Sequence, residues 1–152
     1  MHADGSVTMV DVGGKQESAR IAVVGAVVEM NATTLDLLKR AALPKGDVLT
    51  TAKIAGIMAA KRTSELIPMC HPLMLDYVDI RFEIQDTPPR VLLEAEARCT
   101  GRTGVEMEAL VAAQVAAATI YDMCKAAQKD IGITNVRLLR KSGGKSGEFS
   151  AP

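Results

Sequence analysis

The alternation of apolar and polar side chains divides much of the chain into predicted strands. Residues 20–30 are apolar and largely β-branched on both faces, which predicts a strand covered on both sides. Residues 77–85 alternate cleanly, and the same alternation continues over residues 91–99 after a turn at residues 86–89. This pattern predicts a hairpin with one face in water. Residues 135–139 predict a short final strand.

The longest helical pattern runs from Thr103 to Gly132, and it is alanine-rich and nearly uncharged from Ala109 to Thr119. Thr103 is predicted to be the N-cap, and Glu106 lies three residues later, where a capping box needs it. Gly132 suits the left-handed position that follows a helix. Because the middle of this helix is small and apolar on all sides, we expect it to be buried on all sides.

Two shorter helices are predicted between the first strand and the hairpin. The first starts at residue 33 or 34 and ends at Ala42, and the second starts after Asp47 and ends near residues 61–62. The predicted order is therefore strand, two helices, strand, strand, helix, strand. This order is the ferredoxin-like α+β plan, an antiparallel four-stranded sheet with helices on one face (β-αα-β-β-α-β).

The length of 152 residues predicts a single domain over residues 1–152. Residues 1–19 are polar and contain glycine, and we expect a flexible arm over residues 1–10 and a flexible Gly/Ser/Lys tail over residues 141–152. The start of the chain has no basic segment followed by an apolar run, so no secretory signal is expected. No apolar run approaches the ~20 residues needed to span a bilayer.

The composition argues against several classes of protein. The 18 Lys and Arg balance the 18 Asp and Glu, so no global charge draws the chain to nucleic acid or membrane. Two Tyr, two Phe and no Trp argue against base stacking on an exposed sheet. Cys70, Cys99 and Cys124 have no CxxC spacing, which argues against a disulfide framework and a zinc site. Reduced thiols fit a cytoplasmic location.

Lys45 and His71 are candidate ligand contacts in the loops around the second predicted helix. Lys45 precedes the positive end of that helix, where an anion would bind favourably, although a solvated loop lysine is an equal alternative. Pro68 and Pro72 bracket residues 69–71 and force a rigid, extended backbone. This favours a functional His71 modestly over a structural histidine bonded to backbone, whereas His2 lies in the arm.

Charged residues cluster at the two ends of the longest helix. Asp122 and Lys125 share a face, and their apolar neighbours predict partial burial suited to acid/base chemistry, with an ordinary surface ion pair as the alternative. Glu108 has no evident structural role, so it is a better ligand contact than Glu106. Glu108 and Asp122 are fourteen residues apart, roughly 21 Å along the helix. Either the two residues serve different purposes, or a second subunit brings the opposite end of its own helix beside one of them.

The lysines near the end of the chain suggest phosphate binding without a P-loop. The segment Gly144-Lys145-Ser146 lacks the earlier glycine of that motif, because position 139 is leucine, and no helix follows. A flexible tail carrying Lys141 and Lys145 could fold over a phosphate, and a merely disordered basic tail fits the spacing equally well. The residues together support an anionic-ligand site that includes Lys45, His71, Asp122, Lys125 and the lysine tail.

Seven segments in order form a more specific signal than any one of them. They are Met-Val-Asp-Val (9–12), Lys-Gly-Asp-Val (45–48), Ala-Lys-Arg-Thr (60–63), Met-Cys-His-Pro-Leu (69–73), Thr-Gly-Val-Glu-Met-Glu-Ala-Leu (103–110), Ile-Tyr-Asp-Met-Cys-Lys (120–125) and Lys-Ser-Gly-Gly-Lys-Ser-Gly (141–147). Together, over roughly residues 9–148, they resemble the cyclic pyranopterin monophosphate synthase family, the molybdenum cofactor biosynthesis protein C family.

The resemblance implies an activity and an assembly. The implied reaction converts 3′,8-cyclo-7,8-dihydro-GTP to cyclic pyranopterin monophosphate and releases pyrophosphate. The implied assembly is a homo-hexamer of ferredoxin-like subunits, a trimer of dimers with active sites at the dimer interface. No electrons are transferred, so no redox cofactor is required. Mg²⁺ accompanying the triphosphate stays open, but no carboxylate cluster in the sequence demands a bound metal.

The resemblance also implies roles for individual residues. Asp122 and Lys125 form the acid/base pair, and Lys45 either holds the triphosphate or protonates a leaving group. His71 completes the implied catalytic set. The implied substrate contacts are Met69, Cys70, His71, Met107, Glu108, Glu106, Lys141 and Lys145.

Two readings from other classes remain. A ferredoxin-like regulatory module would bind an anionic metabolite without turning it over, and would give Asp122 no role. An RNA-binding module on the same fold would need exposed aromatic residues and a basic balance, and the sequence has neither.

Overall fold

The computed structural model describes residues 5–145 and 147–152, and these form an α+β fold. Five strands lie in this part of the chain: β1 (Ser18–Glu29), β2 (Tyr77–Asp86), β3 (Pro89–Gly101), β4 (Gly132–Ser142) and β5 (Phe149–Ser150). Four helices accompany them: α1 (Ala32–Lys39), α2 (Val48–Ala60), α3 (Thr63–Leu66) and α4 (Glu106–Cys124). The strands form one antiparallel sheet in the order β2-β3-β1-β4-β5, which has one strand more than predicted.

The central strand β1 is covered on both faces, as its apolar sequence predicts. It pairs with β3 on one side and with β4 on the other. Val24 and Val28 belong to the main core, and Val23, on the opposite face by strand alternation, is also only 1% exposed. The side chain of Leu139 covers Gly25, since a Cβ there would lie 2.9 Å from Leu139 Cδ1. Residues of the same chain therefore bury both faces of this strand.

The helix α4 packs across the sheet, with α2 beside it. It contacts β1, β3 and β4, and the α2–α4 pair makes the largest helix–helix interface. Gly56 lets the two helices approach closely, because a Cβ at this position would lie 2.8 Å from the Ala112 carbonyl oxygen and 2.2 Å from Ile80 Cδ1. The core beneath α4 is built mainly from small side chains, which bring its backbone close to the sheet.

The predicted bounds and capping of the longest helix are wrong. Helix α4 begins after Val105, which makes no side-chain cap, and Glu106 is a first-turn residue whose carboxylate binds Lys141 rather than closing a capping box. The helix ends at Cys124, and Gly132 is the first residue of β4. Gly132 belongs to a strand because it pairs with Glu29 of β1. The residues around Gly132 in the sequence do not indicate this distant partner.

Burial of α4 is also less complete than predicted. Ala112, Ala113, Ala116 and Ala117 are fully buried. Gln114 and Ala118 lie on the outer side and are exposed in the single chain. The helix therefore has one exposed stripe.

The shorter helices follow the sequence more closely. Asp47 caps α2 as predicted, because its carboxylate accepts a hydrogen bond of 3.0 Å from the Thr50 N–H. Helix α1 stops at Lys39 rather than at Ala42, and Ala41 follows in a left-handed conformation with φ of 51°. The second predicted helix matches α2, and the short α3, which was not predicted, follows it.

The end of the chain contains more regular structure than predicted. The expected strand over residues 135–139 extends to Gly132–Ser142, because β4 pairs along most of β1 across two register shifts. Phe149–Ser150 then returns as β5 against Arg140 and Lys141. Residues 5–17 form no helix or strand, and residues 1–4 and 146 lie outside the described residues. No helix of the described chain is both long and apolar enough to cross a membrane.

Candidate active site

One cavity brings together six residues that the sequence analysis placed in a substrate pocket. It has a volume of ≈ 300 Å³ and lies between the loop after α3 and the first turn of α4. Met69, Cys70 and His71 line one side. The backbone before them is not extended as predicted, because residues 67–70 form a turn in which the Cys70 N–H donates a hydrogen bond of 3.1 Å to the Ile67 carbonyl oxygen. The remaining predicted lining residues come from α4: Glu106, Met107 and Glu108.

Glu108 is the least satisfied polar group of this cavity. Its side chain is only 4% exposed, and Oε2 has no hydrogen-bond partner within the described residues. Burial raises the pKa of Glu108 above its usual value, and the nearby charge of Glu106 adds to this effect. A buried carboxyl group with a free oxygen and a raised pKa is suited to proton exchange with a ligand.

Glu106 and Lys141 form a partly buried ion pair at the edge of the cavity. Lys141 Nζ donates a hydrogen bond of 2.7 Å to Glu106 Oε1. Burial opposes ionisation of Glu106, but hydrogen bonds from Lys141 and from the backbone, with the charges of Lys141 and Arg20, together lower the pKa of Glu106. Gly104 makes room for this carboxylate, because a Cβ there would lie 1.8 Å from Glu106 Oε2.

A larger groove adjoins the cavity and carries an excess of positive charge. It has a volume of ≈ 890 Å³, and Thr103, Gly104 and Glu106 line both spaces. Its cationic side chains are those of Lys15, Arg20, Arg102, Lys141 and Lys145, whereas its carboxylates are Glu17 and Glu106. The groove therefore matches an extended anion such as a polyphosphate.

Three of these cations were missed by the sequence analysis. Lys15 lies in the segment predicted to be loosely held, and Arg102 lies in the short link between β3 and α4. Arg20 opens an otherwise apolar strand, which is the one local signal that could have marked it as a site residue. Lys141 and Lys145, which were predicted, line the groove from the end of β4 and from the turn that follows it.

A second cluster of charges lies at the other end of α4. The Asp122 carboxylate accepts hydrogen bonds from Lys45 Nζ at 2.5 Å and from Lys125 Nζ at 2.7 Å. These two ammonium groups, Lys125 first, lower the pKa of Asp122 to about 2, and Asp122 raises the pKa of Lys125. The predicted burial is absent in the single chain, since the three side chains are 49–51% exposed. Charge, rather than burial, sets these pKa values.

The two clusters do not meet within one chain. Helix α4 has 19 residues, and a helix of this length spans roughly 28 Å. Asp122, Lys125 and Lys45 therefore stand apart from His71 and Glu108, as the fourteen-residue spacing along the helix predicts.

The described residues offer no metal centre. Over residues 5–145 and 147–152, no group of three His, Cys, Asp or Glu side chains is placed to hold a metal ion. Cys70, Cys99 and Cys124 are free thiols, and burial raises the pKa of each.

Comparison with known proteins gives one consistent result. The model of the MoaC family matches residues 9–144. A cyclic pyranopterin monophosphate synthase of Nitratidesulfovibrio vulgaris is 73% identical over 151 residues, which cover 99% of this chain and 94% of that protein. Proteins with the same name from Oleidesulfovibrio alaskensis and Desulfovibrio desulfuricans are 68% and 66% identical, over 99% and 100% of this chain and 95% and 93% of their own lengths. The chain belongs to the MoaC family.

Proposed function

We propose that the chain converts 3′,8-cyclo-7,8-dihydro-GTP to cyclic pyranopterin monophosphate and pyrophosphate, in molybdenum cofactor biosynthesis. The names of its full-length relatives support this activity. The observation that carries the proposal is the union of a small cavity, lined by a buried and unpartnered Glu108, with a long cationic groove. A fused-ring nucleotide with a triphosphate chain needs both parts.

The substrate is placed with its ring system in the cavity and its triphosphate in the groove. His71, Met69 and Cys70 then face the rings, while Lys141 and Lys145 neutralise phosphate oxygens. The pair of Glu106 and Lys141 lies where the two spaces join. This placement puts the developing charge of the leaving pyrophosphate among cations, where it is stabilised most.

The chemistry requires proton transfers without electron transfer. The purine-derived rings open and rearrange, a substrate hydroxyl attacks the innermost phosphorus, and the bond from that phosphorus to pyrophosphate breaks. The hydroxyl proton passes to a base, and pyrophosphate departs with the bonding electrons. Glu108 is suited to exchange protons with the rings because its pKa is raised. No redox cofactor is needed, and Mg²⁺ with the triphosphate remains compatible with the reaction.

Asp122 works as an ionised carboxylate that holds two ammonium groups. With a pKa of about 2 it is no general acid near neutral pH. Lys125 and Lys45 are the acids of this cluster, and Asp122 orients them through its negative charge. Of the expected acid/base pair, the acid therefore lies on a lysine, and Asp122 holds that lysine in place.

The complete site is proposed to form between two subunits of a homo-hexamer, a trimer of dimers. A partner whose α4 runs antiparallel would bring its own Asp122 cluster beside this chain's Glu108 cavity. The exposed stripe of α4 and the neighbouring α2 side chains Ile54 and Met58, which are 55% and 51% exposed, support such an interface. The first four strands have the sheet order β2-β3-β1-β4, which supports a ferredoxin-like subunit. The proposed location of the enzyme is the cytoplasm.

The test is pyrophosphate release from enzymatically prepared 3′,8-cyclo-7,8-dihydro-GTP. Wild type should turn over, and Asp122→Asn should lose at least about 10²-fold in rate while it still binds substrate. The matched control Asp130→Asn removes an exposed carboxylate that lines neither space and should behave as wild type. Binding by wild type without pyrophosphate release would instead support the regulatory module.

A further inference from the structure

Three glycines with positive φ follow β4, and two of them, Gly144 and Gly147, have nearly the same backbone conformation. Gly144 has φ of +75° and Gly147 has φ of +69°, both in the left-handed region that other residues adopt at a cost. The Gly147 N–H donates a hydrogen bond of 3.2 Å to the Gly144 carbonyl oxygen. Substitution by alanine should therefore strain the backbone equally at both positions.

The two glycines differ in what lies beside them. A Cβ on Gly144 would lie 2.2 Å from Arg20 Nη1 and 2.8 Å from Arg20 Cζ. A Cβ on Gly147 would meet nothing within 4 Å. The Arg20 guanidinium thus lies directly against the Gly144 backbone, in space that only glycine leaves open.

Arg20 is held from a second direction as well. Its Nε donates a hydrogen bond of 2.9 Å to the Gly101 carbonyl oxygen. Nη1 and Nη2 both lie beside Gly144, and neither has a hydrogen-bond partner among the described residues. Arg20 lines the groove together with Lys141 and Lys145. A planar, fixed guanidinium binds phosphate oxygens in pairs, which a freely moving one does less well.

We propose that Gly144 is a positioning residue, which seats the Arg20 guanidinium so that it binds the polyphosphate chain of the ligand. The proposal deepens the function proposed above and rests on it for the identity of that ligand, the triphosphate of the substrate. The glycine acts through Arg20 and touches no reacting atom.

The experiment is calorimetric titration of the whole chain with sodium tripolyphosphate. Gly144→Ala should weaken binding about tenfold, because it displaces a charged hydrogen-bond donor. Gly147→Ala is the matched control and should leave affinity unchanged, although both variants should lose similar thermal stability. With the full substrate, Gly144→Ala should raise KM more than it lowers kcat.

A double-mutant cycle separates positioning from a general effect on structure. Arg20→Ala should weaken tripolyphosphate binding by itself, and adding Gly144→Ala should weaken it no further. Equal losses in the two glycine variants, or a Gly144→Ala effect that persists without Arg20, would overturn the proposal. So would wild-type affinity in Arg20→Ala, which remains decisive if Gly144→Ala does not fold.

The outcome is independent of the turnover assay. A wild type that binds tripolyphosphate as described but releases no pyrophosphate from the cyclised nucleotide refutes the proposed function and leaves the positioning role intact. A wild type that turns over but fails the mutant cycle refutes the positioning role alone. A wild type that does not bind tripolyphosphate overturns the positioning proposal.

Discussion

Lys141 Nζ lies 2.7 Å from Glu106 Oε1, and this contact ties the end of β4 to the first turn of α4 at the junction of cavity and groove. The two side chains are 26% and 31% exposed, so solvent weakens the pair only in part. An anion that enters the groove competes with Glu106 for the same ammonium group. Binding and the ionisation of Glu106 are therefore linked.

Replacing Lys141 by methionine should raise the pKa of Glu106. Burial alone disfavours the carboxylate, and Lys141 supplies the largest opposing effect. In wild type the pair stabilises the fold above the ordinary glutamate pKa, and this stability is lost as the pH falls through the lowered pKa. A carboxyl NMR titration measures the change. Lys39→Met removes an exposed pair with Asp86 and should leave Glu106 unaffected. An unchanged Glu106 titration in Lys141→Met would contradict the assignment.

Glu108→Gln should stabilise the fold while it impairs turnover. The change removes a buried carboxyl group whose raised pKa shows that its ionisation is unfavourable. The free energy of unfolding should therefore increase by about 1–3 kcal/mol near neutral pH. A raised acid pKa means that wild-type stability falls as pH rises through it, so the gain should vanish below the ordinary glutamate pKa. Urea unfolding at pH 4 and 7 measures this. Equal stability of wild type and Glu108→Gln at pH 7 would contradict an unfavourable buried carboxylate at Glu108.

Glu96→Gln is the matched opposite case and should destabilise the fold by about 2 kcal/mol. Glu96 is 3% exposed, but Arg81 and Arg98 hydrogen-bond to its carboxylate, and Arg140 lies 3.7 Å away. Burial opposes ionisation, yet Arg98 and Arg81 together lower the pKa of Glu96. Its contribution is present above the ordinary glutamate pKa and is lost as the pH falls through the lowered pKa. Urea unfolding at pH 7 should therefore show a lower free energy of unfolding for Glu96→Gln and a higher one for Glu108→Gln.

The pKa of Asp122 should respond more to Lys125 than to Lys45. Hydrogen bonding from Lys125 is the largest influence that lowers this pKa to about 2, and hydrogen bonding from Lys45 comes second. Lys125→Met should therefore raise the NMR titration midpoint of Asp122 further than Lys45→Met does. A larger rise in Lys45→Met would reverse the assignment. Both variants should also lose turnover if the lysines supply the acid.

Mixed assemblies test whether the site forms between subunits. Asp122→Asn and Glu108→Gln are each expected to be inactive, but dissociating, mixing and reassociating the two should restore about a quarter of wild-type activity. Half of randomly formed dimers are mixed, and each has one undamaged site of two. Two copies of the same variant give no rescue and serve as the control. Failure of the mixture to regain activity, with exchange verified by mass, would contradict a site shared between two subunits.

The sequence predicted correctly those elements whose residues carry a clear local pattern. The apolar run around Val23 predicted a strand buried on both faces, as the structure shows. Asp47 capped its helix because capping involves residues only three apart. In both cases the pattern that predicts the element lies within a short stretch of neighbouring residues.

The errors lie where a distant partner decides the outcome. Gly132 joined β4 because Glu29 pairs with it, and Glu106 left its capping role because Lys141 binds it. Arg20 and Lys15 were missed because the groove forms where the start of β1, the end of β3 and the end of β4 meet at one end of the sheet. No local pattern in the sequence contains those contacts.

The separation of the two charge clusters along α4 has a consequence for evolution. If a second subunit completes the site, the length of α4 sets the distance between the Glu108 cavity and the Asp122 cluster. Selection should therefore keep the number of residues in this helix constant. Deleting one residue between Glu108 and Asp122 would shift the cavity and the cluster relative to each other by about 1.5 Å and turn them by about 100°. Insertions and deletions should therefore be tolerated in the loops of related chains and eliminated from this helix, even at positions whose side chains touch nothing.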